Sequence, residues 1–277
     1  VIPYCRQKRE YPMSRFLALL LLLTSTTLHA ELKLTIFDCG QLSFTDISAF
    51  GLSNEETPVR ELFVPCYLIQ HNAHFMVWDA GLPLTDVGRT DGNTRYEESF
   101  LDQLATMDIS PADIDFVAFS HMHYDHVGAA NAFSQATLLI QEAEAVAAFE
   151  HAEDNPVFRP ELYVGLIDAK RRTLNGDHDV FGDGSVKIIS APGHTPGHQV
   201  LYLELSNFGP LILSGDLYHF EASRELRRSP VFNTDAEETL RSMDKVEALI
   251  ESTGATFWIE HSQELAESLN LAPAFYD

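Results

Sequence analysis

The sequence predicts a layered α/β fold, because short apolar segments of strand-like composition alternate along the chain with segments of helical periodicity. Apolar residues make up 45% of the 277 residues and aromatic residues 10%, a composition typical of a globular protein that buries a large core. The length fits one large domain or two small ones.

Nine apolar segments are predicted strands, and several are bounded by Gly, Pro, Asn or Asp, which often end strands. They span residues 32–37, 62–70, 74–78, 116–120, 137–140, 186–190, 199–205, 211–213 and 256–259. Three segments have apolar residues at helical spacing and are predicted helices, at residues 96–107, 141–150 and 236–251. Thr234 and Asp235 form a cap region before the last helix.

Two long stretches, residues 41–65 and 154–183, match no periodic pattern. Long irregular segments inside a compact domain are usually functional or mobile. The first stretch carries Phe44 and Phe50, so we interpret it either as a substrate-facing loop or as a lid that packs on the core.

Residues 13–30 are typical of a secretory signal peptide. Arg15 gives a basic start, residues 16–23 form a compact apolar run, and mostly polar residues lead to Ala30. The run is shorter than the roughly 20 residues that a membrane span needs, and the Thr and Ser after it disfavour a buried N-terminal helix. We therefore expect an upstream extension at residues 1–12, cleavage near Ala30, a secreted or periplasmic bacterial protein, and one folded domain over residues 31–277.

The formal net charge is −23, from 18 basic and 41 acidic residues. Such a surface repels phosphate backbones, so we expect no nucleic-acid partner.

Two cysteines remain after signal cleavage, Cys39 and Cys66, and both lie in apolar, strand-like segments. They form either a disulfide pair or two buried thiols.

The densest chemical signal is Ser120-His121-Met122-His123-Tyr124-Asp125-His126, directly after a predicted strand. His121 and His123 are two residues apart, so in an extended chain their side chains share a face and can bind one metal ion. Asp125 and His126 follow where the chain bends, and they point to a second ion. Four such side chains buried without partners would be costly, which argues against a purely structural role.

Three later motifs supply the remaining ligands that two ions need. His194, Asp216 and His261 each follow a predicted strand, and the ends of strands are where α/β folds usually build their sites. The recurrence of this arrangement, more than any single residue, predicts a centre with two metal ions.

These motifs resemble those of the metallo-β-lactamase-like hydrolase superfamily, from residue 32 to the C-terminus. The loop at residues 121–126 matches its HxHxDH signature, and Asp79-Ala80-Gly81 matches its early Asp-x-Gly turn. The resemblance implies a four-layer αβ/βα sandwich with two divalent ions, zinc by ligand type, at the edge between two central sheets. It also assigns the seven ligands: His121, His123 and His194 to the first ion, Asp125, His126 and His261 to the second, and Asp216 to a bridge between them.

Two further residues have supporting roles in this interpretation. The resemblance implies that Asp79 orients a ligand by a hydrogen bond, and its place in a turn also suits a carboxylate that accepts backbone N–H groups. His198 exceeds the ligand count, so it either supports a ligand or is structural.

Within the superfamily, the chain resembles the N-acyl homoserine lactonases, which quench quorum signals by opening a lactone ring. The resemblance rests on the motifs at residues 37–40, 63–69, 79–83 and 216–218. These enzymes carry a Tyr three residues after the bridging Asp, where its hydroxyl holds the lactone carbonyl. Here that position is His219, and Tyr218 lies one residue earlier, so both are candidate donors to the oxyanion. Asp125 is the candidate that passes a proton to the leaving alkoxide.

Other substrates and one non-enzymatic function remain as alternatives. The same metals would hydrolyse a β-lactam, a thioester or a phosphotriester. The predicted bridging Asp216 argues against a β-lactamase, and the lack of Lys and Arg in residues 263–277 argues against a thioesterase of the glyoxalase II type. A periplasmic metal-binding protein would use the same ligands but would have no need for an apolar pocket. The sequence does not fix the oligomeric state.

Overall fold

The computed structural model describes residues 1–4 and 31–277, and in this part of the chain fourteen strands form two central sheets. The strands are β1 (Leu32–Ser43), β2 (Glu61–His71), β3 (His74–Ala80), β4 (Arg89–Asp91), β5 (Thr94–Tyr96), β6 (Phe116–Ala118), β7 (Thr137–Gln141), β8 (Arg171–Leu174), β9 (His178–Asp179), β10 (Val186–Ser190), β11 (Gln199–Leu205), β12 (Gly209–Leu213), β13 (Thr256–Trp258) and β14 (Phe275–Tyr276). The helices are α1 (Phe100–Thr106), α2 (Glu142–Glu150), α3 (Glu221–Glu225), α4 (Ala236–Thr253) and α5 (Gln263–Ala266).

The two sheets have different strand directions. The first has the order β4-β5-β1-β2-β3-β6-β7-β8, with β14 paired to β1, and its second half from β3 to β8 is parallel. The second has the order β13-β12-β11-β10-β9 and is antiparallel except for the pair β12 and β13. In both sheets, parallel strands place their carboxyl ends at one edge, where the connecting loops carry polar side chains.

Alternating side chains build the four layers. Ile36 on β1 and Ile188 on β10 point into a core between the two sheets. Their neighbours point outward: Phe37 packs beside Phe100 of α1, and Ile189 joins a cluster with α4 residues. Side chains thus alternate between the two faces of each sheet, and helices cover both outer faces. This arrangement confirms the predicted αβ/βα sandwich.

Most predicted elements are present, with shifted ends. All nine predicted strands form, and the cap region before α4 is confirmed because the Asp235 side chain accepts a hydrogen bond from the Glu238 N–H. The helix predicted from residue 96 begins only at Phe100. Tyr96 belongs to β5 instead, and its hydroxyl accepts the Phe100 N–H at 2.8 Å.

The prediction that residues 41–65 and 154–183 are irregular is partly wrong. β1 and β2 extend into residues 41–65, so that only residues 44–60 connect them, and residues 154–183 contain β8 and β9. The missed strand β8 has the sequence Arg171-Arg172-Thr173-Leu174, in which only Leu174 is apolar and buried, so it forms no apolar run. It lies at the edge of the first sheet, where polar residues face solvent.

Cys39 on β1 and Cys66 on β2 form a disulfide, with their Cα atoms 5.8 Å apart. The structure thereby decides between the two interpretations that the sequence left open. The proposed signal segment at residues 13–30 lies outside the described residues. Among the helices that are described, none is long and apolar enough to cross a membrane.

Candidate metal centre and active site

The seven predicted ligands all lie in loops that follow strands. Four of them are in the loop after β6, and the other three follow β10, β12 and β13. The strand β6 belongs to the first sheet and the other three to the second sheet, so loops from both sheets converge on one point. All of the ligands are buried except Asp125, whose side chain is 12% exposed.

The side chains form two groups whose candidate ligand atoms lie within 4.8 Å of one another. The first contains His121, His123, His194 and Asp216, and the second contains Asp125, His126 and His261. Asp216 also reaches the second group, because its Oδ1 is 3.1 Å from His126 Nε2 and 2.9 Å from His261 Nε2. Its Oδ2 is 3.0 Å from His194 Nε2, so the carboxylate stands between the groups as a bridging ligand would.

The ring nitrogens of the site are arranged as metal ligands and not as hydrogen-bond partners of one another. His194 Nε2 lies 3.1 Å from both His121 Nε2 and His123 Nδ1, so three imidazole nitrogens converge on one point. Burial, with neighbouring histidines, lowers the pKa of His121 and of His123 well below the ordinary value, which leaves neutral rings with free lone pairs. In the second group, buried His126 Nε2 forms no hydrogen bond. These orphaned donors match the tetrahedral or five-coordinate sites of zinc-type ions.

Hydrogen bonds at the opposite ring nitrogens fix the orientation of each histidine. The pairs are His121 Nδ1 with Ser120 Oγ (3.0 Å), His123 Nε2 with Asn155 (3.2 Å), His126 Nδ1 with Asp79 (2.8 Å), His194 Nδ1 with Asn233 Oδ1 (2.8 Å) and His261 Nδ1 with the Phe63 carbonyl (2.6 Å). A partner on one nitrogen sets the tautomer and leaves the other nitrogen to face the centre.

Asp79 combines the two roles that the sequence suggested for it. Its Oδ1 accepts the Ser120 N–H at 2.6 Å, and its Oδ2 lies 2.8 Å from both Ser120 Oγ and His126 Nδ1. The carboxylate therefore fixes the start of the ligand loop and the orientation of one ligand together.

His198 supports the site but does not join either group. Its Nδ1 donates to the Ala191 carbonyl at 2.9 Å, and its Nε2 accepts the Asp216 N–H at 2.9 Å. Burial, with His194 nearby, lowers the pKa of His198 to about 3, so the ring stays neutral and can accept this bond. His198 thus holds the backbone of Asp216.

Glu144 is a buried residue that the sequence did not single out. Its Oε1 accepts the Met122 N–H at 2.8 Å and its Oε2 accepts the Gly197 N–H at 2.9 Å, so one carboxylate ties together the loops that carry the histidines of the first group. Gly197 permits this close approach, because a Cβ there would lie 2.5 Å from the Glu144 nitrogen. In the sequence nothing distinguishes Glu144 from Glu142, which is exposed on the same helix.

Tyr218 and His219 point in opposite directions, although they are neighbours. The Tyr218 hydroxyl donates to Glu247 at 3.1 Å in a cleft behind the centre, so the structure does not bring this candidate donor to the metal ligands. The His219 Nε2 lies 2.9 Å from Asp216 Oδ2, and its ring packs on Phe50 at 5.0 Å. Of the two candidates, only His219 lies at the centre.

A cavity of about 210 Å³ opens onto the ligands. Its floor contains Asp125, Asp216, His219 and other site residues, and its walls are largely apolar. The wall residues include Leu42, Phe44, Phe50, Leu62, Val157 and Phe232. The centre therefore faces a small apolar pocket with one polar end.

Comparisons with known proteins agree with this architecture. Residues 59–252 match the family model described as the metallo-beta-lactamase superfamily, a range that holds every ligand except His261. The chain is 30% identical over 241 residues to the N-acyl homoserine lactonase AttM of Azorhizobium caulinodans, covering 78% of this chain and 88% of the relative. It is also 30% identical over 240 residues to AttM of Agrobacterium fabrum, with the same coverage.

Two solved structures have a similar fold. One is described as a quorum-quenching N-acyl homoserine lactone lactonase, with a TM-score of 0.74 at 24% identity over 88% of this chain and 97% of that one. The other, AidC, is described as a dizinc quorum-quenching lactonase in complex with a product, with a TM-score of 0.67 at 20% identity over 89% of this chain and 94% of that one.

Proposed function

Because the chain belongs to the metallo-β-lactamase superfamily, we propose that it is a metal-dependent hydrolase that opens the ring of N-acyl homoserine lactones. Relatives that share 30% of their residues with most of this chain are N-acyl homoserine lactonases. The observation that carries the proposal is the pair of ligand groups joined by Asp216 at the floor of an apolar pocket.

We propose that both metal ions are zinc. Mixed histidine and carboxylate ligands suit zinc, with iron, manganese and cobalt as competitors. When bound, two such ions supply a nucleophile at neutral pH and polarise the oxygen of the substrate. The first ion would be held by His121, His123 and His194, the second by Asp125, His126 and His261, and Asp216 would contact both.

The residues of the chain have separate roles in ring opening. Asp125 is the most exposed member of the ligand set and lines the pocket, so it is placed to transfer a proton to the leaving alkoxide. His219 lines the same pocket, and its ring N–H is the donor that we assign to the oxyanion. Tyr218 is buried against Glu247 and takes no part in our assignment.

The apolar walls suit the acyl chain of such a substrate. Phe44 and Phe50 pack edge to face at 5.0 Å, and Phe50 packs on Phe232 at 5.5 Å, so the three rings make one continuous surface beside the centre. Aromatic surfaces of this kind hold alkyl chains by apolar contact. A protein that only stores metal has no use for such a wall, which favours the enzyme over the metal-binding alternative.

A side-by-side assay tests this assignment. The metal-loaded protein is given an N-acyl homoserine lactone, a β-lactam, a thioester, a phosphotriester and a simple aryl ester. We expect the homoserine lactone to have the highest kcat/KM and its ring-opened acid to be the product. If the aryl ester is hydrolysed as fast as the lactone, the protein is a hydrolase of the superfamily but not a lactonase.

We further propose that the protein is exported and that its mature form begins near Glu31. The Cys39–Cys66 disulfide supports export, because disulfides persist in oxidising compartments and are rare in the cytosol. N-terminal sequencing of the protein purified from a bacterial periplasm checks the cleavage site. A mature chain that still carries residues 13–30 would contradict this assignment.

A further inference from the structure

A second apolar cavity of about 490 Å³ lies beside the active-site pocket. We call it the α2 groove, after the helix that forms one wall with Ala143, Val146 and Ala147. Phe158 and Pro196 contribute to the opposite side. The polar members of its lining are His151, Asp154, Asn155 and Thr234. With an aspartate and no Lys or Arg among the lining residues, the groove suits a neutral apolar ligand better than an anion.

The groove and the active-site pocket share two walls. In one segment Val157 lines the pocket, while its neighbour Phe158 lines the groove. In a second segment Phe232 lines the pocket and Thr234 lines the groove. The two cavities therefore lie on either side of these two segments, and a chain that leaves the pocket would cross them to reach the groove.

Two asparagines mark the boundary between the cavities. Asn155 lines the groove and lies 3.2 Å from His123 Nε2, and Asn233 Oδ1 lies 2.8 Å from His194 Nδ1. The Phe158 ring also packs on His123, with 5.5 Å between ring centroids. A ligand in the groove would thus lie one side chain away from the metal ligands.

The sizes of the two cavities decide where a long substrate fits. Pockets for small molecules usually measure about 300–1,000 Å³, and the cavity above the metal ligands, at about 210 Å³, is below that range. The α2 groove, at about 490 Å³, lies within it. A lactone ring with a short chain matches the pocket alone, whereas a long chain needs further apolar surface.

We propose that the α2 groove binds the distal part of a long acyl chain, so that the enzyme selects long-chain over short-chain homoserine lactones. The inference rests on the proposed lactonase function. Val146, which is 38% exposed on α2, contributes apolar surface that a chain would cover. Because each methylene that leaves water adds to binding, the preference should rise with chain length.

Two variants of the groove test this selection. Val146→Glu places a charge on the groove wall, and Ala143→Leu fills part of it without a charge. Both positions are exposed on a helix, so the fold should persist. Val164→Glu is the matched control, since Val164 is an exposed valine, 55% accessible, that does not line the groove. For each protein kcat/KM is measured with butanoyl and dodecanoyl homoserine lactones.

We expect wild type and Val164→Glu to favour the dodecanoyl substrate. In Val146→Glu and Ala143→Leu, kcat/KM for that substrate should fall about tenfold while the butanoyl value stays within about twofold. Calorimetry with N-dodecanoyl homoserine, the ring-opened product, should show a matching loss of affinity.

Three outcomes would overturn the inference. An unchanged ratio of long to short substrates means that the chain lies elsewhere, and an equal fall for both substrates means a general effect on the fold or the centre. A variant that changes only the oligomeric state in size-exclusion chromatography identifies the groove as a contact between copies. If wild type opens neither lactone, the proposed function itself fails. This failure is distinct from the first two outcomes, because both of them require that wild type opens the lactones.

Discussion

The floor and the walls of the active-site pocket are built in different ways. The floor consists mainly of buried ligands that follow strands. Each of the five histidine ligands is held by a hydrogen bond at its outer ring nitrogen, and Asp216 is held by His198. Leu42 and Leu62 of the walls lie at the ends of β1 and β2, but the aromatic wall residues come from connections between strands and helices, residues 44–60 and 226–234. A backbone hydrogen bond joins these two connections, from the Val231 N–H to the Ala49 carbonyl at 2.9 Å.

This difference assigns the chemistry to the floor and the choice of substrate to the walls. The sheets fix the floor, so chemistry depends on a few atoms that have little freedom to move. Wall residues such as Phe50 and Phe232 are held mainly by packing against each other, so their replacement reshapes the pocket and leaves the ligands in place. Floor substitutions should therefore reduce turnover of every substrate, whereas wall substitutions should change the preference among substrates.

The largest effect should come from the centre of the floor. Asp216→Asn keeps the shape of the side chain but removes the charge that both ligand groups share. Because metal-assisted polarisation is worth several kcal/mol, we expect kcat to fall more than about 1,000-fold for every substrate. Elemental analysis should find two ions per chain in wild type, one for each ligand group, and fewer in the variant.

Asp168→Asn is the matched control for this change, since Asp168 is exposed and lies outside the ligand groups. It should retain full metal content and activity. An Asp216→Asn protein with two tightly bound ions and wild-type turnover would show that the bridge is not needed.

The next largest effect should distinguish His219 from its neighbour Tyr218. His219→Ala removes the oxyanion donor that we assign, which typically costs about 2–4 kcal/mol of transition-state stabilisation. The loss should appear in kcat for short and long lactones alike.

Tyr218→Phe serves as the comparison, because its hydroxyl bonds to Glu247 away from the ligands. We expect it to change kcat/KM by less than about threefold, as the loss of one hydrogen bond outside the site implies. The reverse order, with Tyr218→Phe the more damaging change, would require Tyr218 to turn toward the substrate.

The floor could be predicted residue by residue from the sequence, whereas the walls could be predicted only as a segment, for a physical reason. Metal ligands must be particular residue types at particular strand ends, so His121, Asp216 and His261 are visible in a single chain. A wall needs only apolar bulk, and apolar residues in irregular segments carry no period. The segment that carries Phe44 and Phe50 was interpreted either as a substrate-facing loop or as a lid on the core, and both residues line the pocket.

The opposite directions of Tyr218 and His219 show where sequence spacing fails. Gly215 begins a short helical turn after β12 in a left-handed conformation with φ of 49°, and Asp216 follows it. A shift of one residue in such a turn reverses the direction of the side chain. Glu144 was missed for another reason, since its partners Met122 and Gly197 are distant in sequence and come together only when the loops pack.

A smaller effect is expected from Glu144, whose carboxylate holds the loops that carry the first ligand group. Glu144→Gln replaces a carboxylate that accepts two backbone N–H groups by an amide that can accept only through its oxygen. Loss of such a support typically costs about 10–100-fold in metal affinity or activity. Since the two bonds lie in the loops of His121, His123 and His194, the first ion should be lost more readily than the second.

Titration with a chelator, followed by cobalt substitution and absorption spectroscopy, measures each ion separately. Glu142→Gln is the control, because Glu142 is exposed on the same helix. Equal weakening of both ions, or a large fall in thermal stability without any change in metal affinity, would make Glu144 a residue of the fold alone.

The smallest effect should come from the wall. Phe50→Leu keeps an apolar side chain but removes ring contacts with Phe44, Phe220 and Phe232. Aromatic contacts of this kind are worth about 1 kcal/mol, so we expect KM for a homoserine lactone to rise roughly fivefold. The change should leave kcat and the metal content nearly unaltered, since uniform binding of substrate and transition state affects KM alone.

Phe275→Leu provides the control for this last change, because Phe275 is a partly exposed phenylalanine on β14 that does not line the pocket. Phe50 also contacts the His219 ring, so the wall and the floor meet at this one pair. If kcat falls in Phe50→Leu while the metal content is unchanged, the ring positions His219, and the separation between floor and walls does not hold at this contact. If only KM rises, the two regions are independent, and substrate preference can change without loss of the chemistry.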